Sequence, residues 1–307
     1  VAREQPQPMA FTPYVCPYHQ LLDKSFDEPQ ETLNQLIVYN KMNCKETTII
    51  AALGCLLCAP LHLQAQEENH PMLLNGIRYL DTPYVAHTLE VNPTEELVVN
   101  CDEVDCTTFV EYVLAESLCP KMSNGDISES TFGEYLQKIR YRNGEINGYP
   151  SRLHYIAEWV NNSVKQGFLE DVTASHSKQT LKLQLSYMTD HPEQYAQLAS
   201  SPANVAIMKQ IEKALSGFDF HYVPQDALPG RGLSWIQNGD IIAITTNIPG
   251  LDVAHLGIAM YVDGKLTLLH ASSKEKKVVI SNVTLSQMLK SNPSWTGIRV
   301  LRMKPQQ

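Results

Sequence analysis

Cys106 stands where a predicted helix begins, a position that favours nucleophilic chemistry. Asp105 precedes it as a good N-cap, so Cys106 is expected in the first helical turn. There, exposed N–H groups and the helix dipole favour a thiolate. Five apolar residues then follow at the spacing of one helix face: Phe109, Val110, Val113, Leu114 and Leu118. The residue type and its position predict a cysteine nucleophile.

Two histidines far downstream could supply the base that such a nucleophile needs. His255 and His270 lie in short strand-like runs joined by Asp263-Gly264, a strong signal for a two-residue type I′ turn. Side chains alternate along paired strands, so this turn predicts that both imidazoles share one face as diagonal neighbours. A slip of one residue would separate them onto opposite faces.

The face shared by the imidazoles is predicted to be shallow. Gly257 and Ala259 lie on it and carry little or no side chain. We expect this space to receive the helix that carries Cys106. A thiol at a helix start beside imidazoles on strands is the arrangement that a cysteine hydrolase needs.

The composition is that of a globular chain able to bury a sizeable core. The chain has 307 residues, of which 43% are hydrophobic, and a formal net charge of −9. This acidic balance, without Lys/Arg clusters interleaved with aromatics, argues against a nucleic-acid partner. No HExxH motif is present, and His255 with His270 alone would make a poor zinc site. We therefore expect no metal and no cofactor, with metal-dependent hydrolysis as the main rival among enzymes.

The first 65 residues are predicted to be absent from the mature protein. Residues 42–65 have the pattern of a secretory signal peptide, with a basic start, an apolar core and a cleavage site after Ala65. We interpret residues 1–41 as an upstream segment from a start site assigned too early, with an N-terminal extension as the alternative. The apolar core is short for a membrane span, so no stable insertion is expected after cleavage. The expected location is the periplasm or cell envelope.

Removing these segments leaves three of the seven cysteines: Cys101, Cys106 and Cys119. An odd number in an exported protein leaves at least one free thiol, which suits a catalytic cysteine. A disulfide between Cys101 and Cys106 would remove the nucleophile. Ala52-Leu53-Gly54-Cys55 is a weak match to a lipoprotein cleavage box, so lipid attachment at Cys55 is a minor alternative.

Residues 66–307 are predicted to form a single α+β catalytic domain. The pattern is mainly helical from Asp126 to Gly217 and β-rich towards the C-terminus. A cysteine helix early and an antiparallel sheet late indicate α+β organisation. The chain between Cys106 and the histidines then reads as a large helical insertion at about residues 120–235, a candidate substrate-selecting lobe.

Four motifs occur in a fixed order along the chain. They are Asp105-Cys106-Thr107, Gly239-Asp240-Ile241-Ile242, His255-Leu256-Gly257-Ile258-Ala259 and His270-Ala271-Ser272-Ser273. Together they resemble the NlpC/p60 cell-wall cysteine peptidases, over most of residues 72–304. Thr107-Thr108 replaces the usual Ser-Gly of those enzymes, and the insertion is large. These departures and the segment Tyr149–Tyr155 look more like the N-acetylmuramoyl-L-alanine amidase-like branch. The resemblance implies a papain-like core with an antiparallel sheet.

The resemblance also implies a role for each residue of the site. Cys106 would attack an amide carbonyl, and His255 would take its proton and return it to the leaving amine. His270 would orient His255. Tyr84 corresponds to a tyrosine beside the nucleophile, and it is expected to supply an oxyanion donor next to the N–H of Cys106.

A second group of residues is predicted to recognise substrate. Arg152, expected in the first turn of a helix, would hold a carboxylate of the stem peptide. Tyr149 or Tyr155 would stack on a pyranose ring. The full set of candidates is Tyr149, Ser151, Arg152, His154 and Tyr155. Asp252 is a weaker candidate, because a loop carboxylate at this distance is usually structural.

The implied activity is hydrolysis of the N-acetylmuramoyl-L-alanine amide in soluble peptidoglycan fragments, including anhydro-muropeptides, by a monomer. Two alternatives remain open. One is a γ-D-glutamyl-diamino acid endopeptidase, which cuts further along the stem peptide. The other is a non-catalytic cell-wall-binding module that retains the fold.

Overall fold

The computed structural model describes residues 70–121, 125 and 127–304. The α-helices within them are α1 (Pro71–Ile77), α2 (Cys106–Leu118), α3 (Glu129–Arg140), α4 (Ile156–Lys165), α5 (Thr173–His176), α6 (Tyr187–Asp190), α7 (Ala196–Ala199), α8 (Pro202–Leu215) and α9 (Leu285–Lys290). The strands are β1 (Leu169–Asp171), β2 (Thr180–Lys182), β3 (Asp219–His221), β4 (Val223–Pro224), β5 (Ile241–Thr246), β6 (Val253–Val262), β7 (Lys265–Ser272), β8 (Lys277–Ile280) and β9 (Trp295–Met303).

A seven-stranded sheet forms the centre of the described chain. Its order is β1-β9-β5-β6-β7-β8, with β4 also paired to β9. All of these pairs are antiparallel. Strands β2 and β3 form a separate antiparallel pair. Helices combined with an antiparallel sheet confirm the predicted α+β class.

Both faces of this sheet are covered, which explains why the central strand β5 is almost entirely apolar and buried. On one face, Ile244 and its neighbours pack into a core with α9. On the other face, α1 and α2 pack against β6 and β7. Gly76 of α1 lies so close to the sheet that a Cβ there would meet side-chain atoms of Leu269 at 2.9 Å and Ile258 at 3.1 Å.

The hairpin that carries the histidines turns at Asp263 and Gly264, as predicted. Their φ angles are 49° and 70°, the left-handed region that a type I′ turn needs at both central positions. Val262 pairs with Lys265, and the same register continues to the pair of Ile258 and Leu269. The predicted register is therefore confirmed from the turn to this pair, where the ladder between β6 and β7 ends.

The chain between about residues 120 and 235 differs from the prediction in containing strands as well as helices. β1 and β4 join the main sheet through β9. Each has at most three residues, too few to show an alternating pattern, so the free edge of β9 decides their pairing. The helix expected to include Arg152 in its first turn begins only at Ile156. The reason is that Arg152 pairs with Tyr141 and the N–H of Leu153 donates to the carbonyl of Arg140.

The predicted N-terminal features, the upstream segment 1–41 and the signal peptide 42–65, lie outside the described residues. Over the ranges that the structure does describe, no helix combines the length and the apolar character needed to cross a membrane.

Candidate active site

Asp105 fixes the start of α2. Its Oδ1 accepts hydrogen bonds from the N–H groups of Thr107 at 2.9 Å and Thr108 at 2.8 Å. In return, the Thr108 hydroxyl oxygen accepts from the N–H of Asp105 at 2.8 Å, which completes a capping box. Cys106 is therefore the first residue of the helix, as predicted. The contribution of Thr108 was missed, because the familiar box has Glu or Gln at that position.

The thiol of Cys106 lies beside the backbone of Leu256. In the ladder of β6 and β7, the N–H groups of alternate residues point towards β7, and Leu256 belongs to this set. Pairing stops at Ile258 with Leu269, so the N–H of Leu256 has no partner from that ladder. It lies instead within reach of the Cys106 sulfur, where it partly offsets the rise in the pKa of that thiol. The cysteine thus enters the gap where the two strands separate, next to His255.

The expectation that Gly257 and Ala259 leave room for α2 is wrong. Ala259 packs into the core with α9, and a Cβ on Gly257 would meet the Leu268 side chain at 2.6 Å. The body of α2 lies on the other face, where Phe109 packs beside Ile258 and Leu269. The small residues therefore make room for core side chains, and the body of α2 does not lie on the face that carries the histidines.

His255 and His270 are joined by a hydrogen bond, as the predicted register requires. The Nε2 of His255 lies 2.7 Å from the Nδ1 of His270, and the ring planes are nearly perpendicular at 88°. This contact leaves the Nδ1 of His255 available to receive a proton. A neutral His255 that accepts at Nδ1 carries its own proton on Nε2 and donates it to His270.

Trp295 covers a ring face of His255, a contact that the sequence reasoning missed. The two rings are stacked, with centroids 5.9 Å apart and planes within 6° of parallel. Trp295 begins β9, which pairs with β5, which in turn pairs with β6. No local motif links residues 40 positions apart on strands that are not neighbours, so only the sheet order could reveal this contact.

The thiol and both imidazoles are held in their neutral forms. Burial, reinforced by the charge of Asp105, raises the pKa of Cys106 to about 12. Burial lowers the pKa of His255 to about 3, with His270 adding to the effect. Burial also lowers the pKa of His270 to about 4. The predicted thiolate at the helix start is therefore wrong for the free protein, because burial and Asp105 outweigh the helix dipole.

Tyr84 lies near the nucleophile, as the resemblance implied. It is held by an isolated parallel bridge to Val104, just before α2. Burial raises the pKa of Tyr84 to about 12, and the neighbouring Cys106 and Asp105 add to the shift. The phenol therefore stays protonated and can donate a hydrogen bond close to the thiol.

Arg152 is buried and already paired. Its guanidinium lies 3.1 Å from Glu95 and 3.8 Å from Glu90, and it stacks over the ring of Tyr149 at 5.0 Å. It follows a short 3-10 turn and has extended backbone geometry, so its predicted place in the first turn of a helix is wrong. A substrate carboxylate would have to displace a glutamate to reach it.

The other predicted recognition residues mainly hold their own segment together. The Tyr149 ring lies between Arg152 and His154, whose ring centroid is 4.4 Å away. The Tyr155 hydroxyl donates to Glu212 at 2.7 Å, and its side chain belongs to a core formed with α8. Only 3% of Tyr149 and 2% of Tyr155 are exposed, so neither ring offers a free face for a sugar.

Ser151 and His154 also bond within the segment. The Ser151 hydroxyl donates to the carbonyl of Gly148 at 2.7 Å. The His154 Nε2 lies 3.0 Å from the carbonyl oxygen of Tyr149. Burial lowers the pKa of His154 to about 3, with Arg152 adding to the effect. Both side chains therefore stabilise the turn that leads into α4.

Asp252 links the start of α4 to the start of β6. Its Oδ2 accepts from the N–H of Ala157 at 2.6 Å, and its Oδ1 accepts from the N–H of Val253 at 2.8 Å. Burial raises the pKa of Asp252 to about 6. This carboxylate anchors the strand that carries His255, which agrees with its structural interpretation.

A disulfide or a bound metal ion would each change the chemistry open to Cys106. Over the described part of the chain, Cys101, Cys106 and Cys119 form no disulfide, so the bridge that would have removed the nucleophile is not formed. In the same residues, no group of three or more His, Cys, Asp or Glu side chains is arranged to hold a metal ion.

The fold and the site together define an α+β protein in which a cysteine at a helix start lies against the backbone of Leu256, the residue after His255, and His255 is hydrogen-bonded to His270. A family described as N-acetylmuramoyl-L-alanine amidase-like matches residues 75–298. The chain belongs to this family.

Solved structures agree with that membership. An N-acetylmuramoyl-L-alanine amidase from Bacteroides uniformis is 67% identical, with 77% of this chain and 100% of that chain covered and a TM-score of 0.76. A Bacteroides fragilis protein described as a xylanase is 62% identical, with 75% and 100% covered and a TM-score of 0.73. A Legionella pneumophila protein, 24% identical with 90% and 97% covered and a TM-score of 0.59, shares the fold. No curated protein sequence matches the chain.

Proposed function

We propose that the chain is a cysteine-dependent amidase that hydrolyses the N-acetylmuramoyl-L-alanine bond of muropeptides, including anhydro-muropeptides. The observation that carries the proposal is the placement of Cys106 against Leu256, next to the hydrogen bond between His255 and His270. Membership of the amidase-like family and the name of the Bacteroides uniformis relative support the substrate. The four sequence motifs support a papain-like core of the NlpC/p60 type.

The first step uses a neutral thiol and a neutral imidazole. As the Cys106 sulfur attacks the lactyl carbonyl carbon, its proton passes to the Nδ1 of His255. The imidazolium that forms donates from Nε2 to the Nδ1 of His270, which stays neutral because burial lowers the pKa of His270. His270 therefore orients the base and stabilises its charge, as an aspartate does in other triads.

The second step releases the peptide and then the sugar. The tetrahedral intermediate collapses when His255 returns its proton to the nitrogen of L-alanine, and the carbon–nitrogen bond breaks. The lactyl group is left as a thioester on Cys106. Water, deprotonated by His255, then adds to this thioester and frees the lactyl carboxylate and the thiol. The overall reaction consumes one water molecule.

The negative oxygen formed in each step needs nearby donors. The N–H of Cys106 lies at the start of α2, where the N–H groups have no partner within the helix. Tyr84 retains its phenolic proton because burial and neighbouring charges raise its pKa. We assign both groups to the oxyanion site.

The region around Tyr149–Tyr155 is proposed to shape the cleft for the sugar side of the bond. The contacts of Arg152 with Glu90 and Glu95 favour an indirect role, in which these residues hold the cleft wall. Direct binding of a stem carboxylate by Arg152 requires that the loosely held Glu90, at 3.8 Å, moves away. The protein would act as an exported monomer in the periplasm or cell envelope.

The product pair from a disaccharide-tetrapeptide tests this assignment. We expect mass spectrometry to show a free disaccharide ending in a lactyl carboxylate, and an intact tetrapeptide with a free amino terminus. A dipeptide still attached to the sugar would instead identify a γ-D-glutamyl endopeptidase. Binding of the muropeptide without any product would identify a wall-binding module. A xylan oligosaccharide, included as a control, should remain uncut.

A further inference from the structure

The base of the proposed mechanism is held by two aromatic neighbours. His270 contacts the edge of His255 through a 2.7 Å hydrogen bond with nearly perpendicular rings. Trp295 lies parallel to the same imidazole, within 6°, at 5.9 Å between centroids. With the hydrogen bond alone, the His255 ring could still rotate about the line of that bond. A parallel indole restricts this rotation.

Trp295 is itself well fixed. Its backbone pairs with Thr246 across a β-bulge. The backbone N–H of Trp295 donates to the carbonyl of Asn292 at 3.1 Å. Its side chain packs against the core that includes Ile298 and Val300. The indole is therefore held in a fixed position beside His255.

We propose that Trp295 is a positioning residue, whose indole keeps water from the His255–His270 hydrogen bond and holds the imidazole in the orientation that faces Cys106. This inference rests on the proposed role of His255 as the base. A hydrogen bond shielded from water is electrostatically stronger than an exposed one. The indole therefore strengthens the contact through which His270 orients the base.

The ionisable groups near His255 determine how its pKa should respond when the indole is removed. His270, from β7, is the ionisable neighbour that adds to the lowered pKa of His255. Cys106 enters from the start of α2 and is neutral, because burial raises its pKa. Just before β6, Asp252 accepts hydrogen bonds from the N–H groups of Ala157 and Val253. Removing the indole would admit water to the imidazole, so the pKa of His255 should rise towards its ordinary value of about 6.5.

The chain contains a matched control. Trp235 stacks on His176, with centroids 4.5 Å apart and planes within 16°. His176 is exposed and has no place in the proposed site. Trp235→Leu removes an indole from an imidazole as Trp295→Leu does, without touching the base.

The experiment compares Trp295→Leu, Trp295→Phe and Trp235→Leu with the unaltered full chain. NMR titration of the histidine side chains gives the pKa of His255 without any substrate. Steady-state kinetics on a disaccharide-tetrapeptide gives kcat and KM separately. For Trp295→Leu we expect a raised pKa of His255, and a kcat lowered about ten- to a hundredfold with little change in KM. Trp295→Phe, which keeps a stacked ring, should lie between Trp295→Leu and the unaltered chain.

The outcomes separate this inference from the proposed function. If the pKa of His255 and kcat in Trp295→Leu match those of Trp235→Leu, the positioning role is refuted. A loss of kcat without a change in the pKa of His255 also refutes it, since shielding must alter that pKa. Should Trp295→Leu not fold, an unchanged pKa of His255 in Trp295→Phe overturns the inference. If the pKa shifts but the unaltered chain does not cut muropeptide, the positioning stands and the proposed substrate fails.

Discussion

At the scale of single residues, the site keeps a neutral thiol and a neutral imidazole side by side. Burial raises the pKa of Cys106 and lowers those of His255 and His270. In the proposed mechanism, the proton therefore moves during attack rather than before it. We therefore expect the Cys106 thiol to react slowly with alkylating agents and oxidants while no substrate is bound, since the thiolate is the reactive form.

Replacing Cys106 by alanine should abolish amide cleavage, because the thioester can no longer form. We expect kcat/KM to fall by about 10⁴-fold or more, as when other enzymes lose a nucleophile. Cys119→Ala is the control, since Cys119 is buried at the end of α2. Circular dichroism should show both variants folded. Substantial turnover by Cys106→Ala would contradict the nucleophile assignment.

His255→Ala should be far more damaging than His270→Ala. The first change removes the group that carries the proton, whereas the second removes only its orienting partner. We expect kcat to fall by about 10⁴-fold for His255→Ala and by about 10²-fold for His270→Ala. Initial rates on a disaccharide-tetrapeptide decide the order. Equal losses would mean that His270 takes part in proton transfer directly.

The activity should not show the usual histidine limb near pH 6.5. The base works in its neutral form, and burial lowers the pKa of His255 to about 3, so activity is lost only as pH falls through that lower range. The thiol must be protonated at the start, and the pKa of Cys106 lies at about 12. A profile of kcat/KM should therefore be flat from about pH 5 to pH 9. An acid limb at pH 6.5 in a folded enzyme would contradict the neutral pair.

At the scale of elements, the start of α2 and the separation of β6 from β7 create the site together. The capping box fixes where the helix begins, and the last ladder pair, Ile258 with Leu269, fixes where the gap opens. Neither the start of α2 nor the end of the ladder would form the site by itself. A helix one residue longer at its start, or a ladder continued to Leu256, would leave the thiol without its place beside His255.

Asp105 should have two separable effects, on helix stability and on the thiol. Asp105→Ser keeps an oxygen for the cap and removes a charge that raises the pKa of Cys106, so alkylation of the thiol by iodoacetamide should become faster at neutral pH. Asp105→Ala also removes the cap and should lower the free energy of unfolding by about 1 kcal/mol. Both effects are measured by alkylation kinetics and urea denaturation.

Thr284→Ala provides the control for Asp105, because Thr284 caps α9 with the same kind of box. It should lower the free energy of unfolding similarly and leave the rate of alkylation unchanged. If Thr284→Ala accelerated alkylation as much as Asp105→Ser, general loosening of the fold would explain the effect instead of charge.

At the scale of the whole molecule, the chain from α3 to β4 is built into the main sheet. β1 and β4 extend the sheet beyond β9, and Asp252 connects α4 to β6. A shift of these helices would therefore reach the strand that carries His255. This coupling offers a route by which binding of a bulky sugar near Tyr149–Tyr155 could influence the base.

The exported form is predicted to begin near Gln66. The reason is the cleavage pattern after Ala65, which follows an apolar core of the length found in signal peptides. N-terminal sequencing of the protein recovered from the envelope of the producing cell measures this directly. A chain that begins at Val1, or one that retains Met42, would refute both the signal peptide and the interpretation of residues 1–41.

Several features of the site followed from the sequence because they obey local rules. Asp105 caps a helix through its own side chain, so the position of Cys106 could be predicted from its neighbours. Asp263-Gly264 fixes a hairpin register, and the alternation of side chains then brings His255 and His270 together. These inferences need only the few residues around a turn or a helix start.

Other features depended on which elements pack against one another, and only the tertiary structure decided them. The sheet order β9-β5-β6 brings Trp295 onto His255. The face of the sheet against which α2 packs determines which part of that helix lies towards the histidines. Arg152, which looks available in the sequence, is enclosed by Glu90 and Glu95 from a distant loop. The neutral thiol and imidazoles likewise result from burial, which sums contacts from many segments and has no local signature in the chain.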